Sequence, residues 1–147
     1  MMEKLQQIYM DYYEKTAKVY KAASPVAGLF GMGDDPRRHH CHEAFYEAVG
    51  EWVEEFCKTR PDAAAAAAAV RHILTAASEH KGEAVYWYLY AAHGHTKPLI
   101  PMLTEEERKA IAQWYDSVYP KLDRMPVQME IYKLLQKGEK KKKRLFL

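Results

Sequence analysis

A chain of 147 residues, 48% hydrophobic and 29% charged, with a formal net charge of +2, has the size and composition of one ordinary globular domain, not those of a disordered or membrane-embedded chain. Its positive charge is concentrated: Lys137, Lys140, Lys141, Lys142, Lys143 and Arg144 stand against Glu139 alone, so residues 1–136 read as a mildly acidic body and 137–147 as a basic tail. No stretch offers the roughly 18 apolar residues of a membrane span and the opening residues form no basic-then-apolar leader, so a cytoplasmic location is expected.

Apolar positions at steps of three and four run through most of the chain, and the expected fold is all-α: a compact single-domain bundle of about six helices. In the first helix Leu5, Ile8, Tyr9, Tyr12, Thr16, Val19 and Tyr20 carry the pattern until Ser24 and Pro25 stop it. Residues 25–35 hold Gly28, Gly31 and Gly33 together with Val26, Leu29, Phe30 and Met32. This reads as an apolar loop. It has no Gly-Lys-Ser/Thr ending and follows a helix instead of a strand, which disfavours a phosphate cradle.

The second helix opens with Asp35 as cap and Pro36 in the first turn, and buries a stripe of Phe45, Val49, Trp52 and Phe56 before ending near Thr59. Cys41 and Cys57 fall on it about 24 Å apart along its axis, too far for a disulfide. Asp62 caps a third helix through seven alanines into Val70, Ile73 and Leu74, where a neighbouring backbone has room to come close. Glu83 to His93, around Val85-Tyr86-Trp87-Tyr88-Leu89-Tyr90, is read as a fourth helix ending at Gly94, apolar on every side and therefore central or facing a partner.

Lys97 to Leu103, with two prolines, reads as an extended connection. A fifth helix starts at a Thr104/Glu107 capping box, turns Ile111, Trp114, Tyr115 and Val118 inward, and ends at Pro120. A sixth follows Pro126 with Ile131, Leu134 and Leu135 inward.

Two places gather chemistry-bearing residues. At the start of the second helix His39 and Glu43 lie one turn apart on one face, with Cys41 and His42 on or beside the apolar stripe. At the end of the aromatic helix His93 and His95 flank Gly94. Together His39, Glu43, His93 and His95 supply the three or four nitrogen and oxygen donors of a zinc or iron site. Yet the chain has no His-Glu-x-x-His motif and too few inward glutamates for a di-iron bundle, and the ordinary reading of these residues is capping and core filling. Cys41 and His42, adjacent on a helix, diverge too far to act as a nucleophile–base pair.

The basic tail has no interleaved aromatics, so nucleic-acid binding is disfavoured and a solvated charge run is the simpler reading. No cofactor is expected. The sequence therefore points to a non-catalytic helical protein that binds a protein partner, foremost a second copy of itself, or a small apolar ligand. The alternative is a metal-dependent enzyme using the His39, Glu43, His93 and His95 set.

Overall fold

The structure, a computed structural model, describes residues 1–22, 36–79 and 87–137, with the backbone alone at 19–22, 36–39, 90–92 and 137. The expected apolar loop at 25–35, the start of the aromatic helix and the tail beyond Lys137 lie outside the described residues. Within them the chain is all-α, and no helix is long and apolar enough to cross a membrane. It has five α-helices, not about six: α1 (Met2–Ala22), α2 (Pro36–Lys58), α3 (Ala63–Glu79), α4 (Glu105–Val118) and α5 (Pro126–Lys137).

The aromatic segment, read as a helix of its own, is helical throughout its described residues but is not an α-helix over Tyr88–His93. That stretch is a π-helix, a form that is rare and found mostly as single turns inside α-helices. Gly94 continues in helical conformation and does not take the left-handed capping geometry expected of it. Residues 97–103 are also tighter than the extended connection expected. The Leu99 and Ile100 amides donate to the Thr96 carbonyl and a 3₁₀ turn spans Ile100–Met102. Burial of Leu99 and Ile100 accounts for this: the turn folds both apolar side chains inward.

Contacts divide the chain into two units, Met1–Trp52 and Val53–Leu147. In the first, α1 and the opening of α2 form an antiparallel pair. Tyr12 stacks on Phe45 with ring centroids 4.0 Å apart, and Tyr9 meets the same ring edge-on at 5.1 Å. At the open end of the pair, Trp52 Nε1 donates to the Met1 carbonyl at 2.9 Å. Leu5, Tyr9, Tyr12, Thr16, His42, Phe45, Val49 and Trp52 are buried, as the three-and-four spacing requires. Cys41 and Cys57 are both free and half-buried on one continuous helix.

In the second unit α3 contacts the π-helix, the 3₁₀ turn and α4, while α5 contacts α4 and the π-helix. Asp62 caps α3 as expected, its Oδ1 accepting from the Ala65 amide at 2.8 Å. Ala66, Ala69, Val70, Ile73 and Leu74 are fully buried, so the small side chains do form a packing surface. Before α3, Arg60 takes the left-handed backbone (φ 53°) that ends many helices, a place where glycine is the usual residue.

The box at α4 is complete: Thr104 Oγ1 accepts from the Glu107 amide at 3.1 Å, and Glu107 accepts from the Thr104 amide at 3.2 Å. At α5, Gln128 Oε1 accepts from the Met125 amide in the same manner. Ile131 and Leu135 are inward, but Leu134 is exposed, because the buried row of α5 is Gln128, Ile131 and Leu135, and Leu134 is turned 100° from it.

Candidate functional site

The four residues named as metal ligands fall in two places. His39 and Glu43 sit in α2, which is continuous from Pro36, so they are one turn apart as expected. Glu43 is exposed, and the His39 side chain lies outside the described residues. His93 closes the π-helix and is fully buried, and His95 is half-buried. Among the described residues no group of three His, Cys, Asp or Glu side chains is gathered closely enough to hold a metal ion. His42, beside His39 in sequence, is a core residue hydrogen-bonded through Nδ1 to the Tyr12 hydroxyl at 2.8 Å.

The first unit carries a surface, uncharged but for Glu43, that follows from its geometry. In an antiparallel helix pair the residue following an inward position projects to the same side from both helices. Those residues are Gln6, Met10, Tyr13 and Ala17 on α1 and Glu43, Tyr46 and Gly50 on α2. Met10, Tyr13 and Tyr46 are 56%, 55% and 42% exposed. On α1 the residues preceding the inward positions, which form the opposite side, are Lys4, Ile8, Asp11 and Lys15. The two sides of α1 therefore differ: all four residues are uncharged on one, and three of four are charged on the other. Of the two readings of the aromatic segment, central or facing a partner, its described residues Tyr88 and Leu89 fit the first, since both are buried.

In the second unit two tyrosine rings, from α4 and the residue that caps its end, meet one imidazole. His93 lies 5.9 Å from the Tyr115 ring and 5.8 Å, nearly perpendicular, from the Tyr119 ring. Tyr115 in turn meets Tyr119 at 4.6 Å, Trp114 at 6.3 Å and Tyr132 at 6.1 Å. The Tyr119 hydroxyl donates to the Leu74 carbonyl at 2.8 Å, and burial pushes its pKa up to about 12. Arg124 lies over the Tyr132 and Tyr115 rings, pairs with Asp116 at 2.8 Å and donates to the Tyr119 carbonyl.

His93 itself is left over. Burial lowers its pKa to about 4, the backbone of Tyr88 opposing this only in part, so the ring is neutral near pH 7. Neither ring nitrogen is in hydrogen-bond geometry with any group, and the buried Tyr115 hydroxyl is also unpaired. Burial drives the Tyr115 pKa far above its ordinary value, with Gln128 opposing from close by but without hydrogen-bond geometry. Sequence reading found His93 through its neighbour His95 and missed Tyr115 and Gln128, whose approach depends on how α4 and α5 pack.

Compared with protein families, with curated proteins and with solved structures, the chain matches none.

Proposed function

We propose that the protein is a non-catalytic helical binding protein whose partner is a second copy of itself, engaged through the Met10, Tyr13 and Tyr46 side of the α1/α2 pair. The observation behind this reading is the exposure of those three side chains on a side of a two-helix unit whose row holds one charge, Glu43. Two antiparallel helices bury one seam only, and a second pair laid against them makes a four-helix arrangement.

The row suits a copy of itself. On α1 Met10 and Tyr13 stand between Gln6 and Ala17, so a two-fold axis perpendicular to the helices and midway along this row sets Met10 and Tyr13 against the partner's Tyr13 and Met10. Tyr and Met are residue types enriched in interfaces, where the aromatic body is covered and the hydroxyl stays wet.

Sedimentation of the full chain across concentrations tests this. Wild-type protein is expected to dimerise in the micromolar range, with Tyr13→Glu weakening the dimer about tenfold or more by burying an unpaired charge. Lys15→Glu, on the opposite side of α1, is expected to change it little. A strictly monomeric wild type at high micromolar concentration, or a dimer indifferent to Tyr13→Glu in a chain that keeps its helicity, overturns the reading.

A further inference from the structure

We propose that His93, Tyr115 and Gln128 form the polar contacts of an internal binding site in the second unit for a small, neutral, planar molecule that both donates and accepts a hydrogen bond. Two independent observations meet here. The first is chemical: both ring nitrogens of His93 and the Tyr115 hydroxyl are buried without a partner in hydrogen-bond geometry, although the Tyr88 backbone lies close to His93 and the Gln128 side chain close to Tyr115. Buried polar side-chain atoms are bonded in the large majority of cases, and each left unpaired costs roughly 1–3 kcal/mol. Two unpaired residues whose rings are 5.9 Å apart therefore mark a place where the protein alone does not complete its own hydrogen bonding.

The second is conformational. His93 is delivered by the Tyr88–His93 π-helix, and π-helical turns within helices are frequent at functional sites, where the extra residue redirects a side chain. The next turn holds it in place: the Thr96 amide and hydroxyl both donate to the His93 carbonyl, at 3.0 and 2.6 Å.

The chemistry of the walls selects the guest. A neutral imidazole offers one donor and one acceptor, and a tyrosine hydroxyl offers both. Tyr115 and Tyr119 present ring surface, which favours a planar apolar body. Arg124 lies over the Tyr115 ring, and its guanidinium is engaged with Asp116 and the Tyr119 carbonyl. An anion there would find that guanidinium already bonded, and a cation would compete with Arg124 for the ring faces. A neutral hydroxylated ring fits all three polar groups.

Phenol serves as the probe, added to the full-length protein. The expected result is a saturable rise in melting temperature, because a ligand bound only by the folded state stabilises it, together with a shift of the His93 ring nitrogens in nitrogen-15 NMR spectra. His93→Phe and Tyr115→Phe, which keep the rings and delete the polar atoms, are expected to weaken phenol binding about tenfold each, the equivalent of one hydrogen bond. If a variant fails to fold, the wild-type resonances decide alone. Unmoved His93 nitrogens at saturating phenol, variants that bind as wild type does, or a site holding an ordered water only would overturn the proposal. Because this site lies wholly within residues 53–147, its failure leaves the dimer reading untouched, and the reverse holds as well.

Discussion

His93 ties one side chain to the pH dependence of the whole chain. Its folded-state pKa, about 4, lies below the ordinary 6.5, so between these values the unfolded chain binds a proton that the folded chain refuses. The contribution of the neutral ring is fully present above pH 6.5 and is lost as pH falls toward 4, by about 3 kcal/mol in total. Denaturant unfolding at a series of pH values is expected to give a shallower acid limb for His93→Phe than for wild type over that window. Equal slopes would mean that the imidazole reaches water. Trp52 makes the complementary case, since it is buried on the α2 stripe and donates to Met1. Trp52→Ala is expected to lower the unfolding free energy by about 3–5 kcal/mol, a large part of a typical 5–15 kcal/mol. Its burial was legible from spacing alone, because Phe45, Val49, Trp52 and Phe56 repeat along one face. The bond to Met1 was not, because it joins residues 51 positions apart and carries no local signature.

Helix ends are where sequence and structure agree most closely, since a cap is chemistry among neighbours in the chain. The Thr104/Glu107 box and the Asp62 cap are both in place with ordinary hydrogen-bond lengths. Thr104→Ala is expected to cost about 1 kcal/mol, read as a lower denaturation midpoint at unchanged slope. The aromatic segment is the counter-example. Its apolar character was plain, yet a π-helix has no periodicity signal of its own over six residues, and its register is set by what packs on it from α3 and α5. The same holds for Leu134, which by composition belongs inside and by rotation does not. The candidate site was half legible for this reason: one histidine could be picked out by eye, whereas the tyrosine and glutamine that adjoin it are brought there by α4 and α5.

At the scale of the molecule, the two contact units divide the questions. Sedimentation reads the first unit through Tyr13, and phenol reads the second through His93. Composition and periodicity pointed to helices, none of them long and apolar enough to cross a membrane among the described residues, but they are silent on which helices share a unit. The second unit also holds a cross-link between its helices. Arg108, buried on α4, donates from Nη1 to the carbonyls of Leu135 and Gln136 in the last turn of α5, at 2.6 and 3.1 Å. A guanidinium supplies the donors that helix-end carbonyls lack within their own helix. Arg108→Met is expected to leave those carbonyls unpaired and to lower stability by about 1–3 kcal/mol, measured as a loss of protection of the α5 amides from hydrogen exchange.

That same bond sets a timetable for the chain as it is made. The acceptors of Arg108 lie 27 and 28 residues downstream, and at roughly 5–20 residues per second a ribosome takes on the order of seconds to reach them. Until they are made, the guanidinium has no carbonyl of α5 to bond. A chain cut before Leu135 therefore keeps a basic group where the second unit places part of its core.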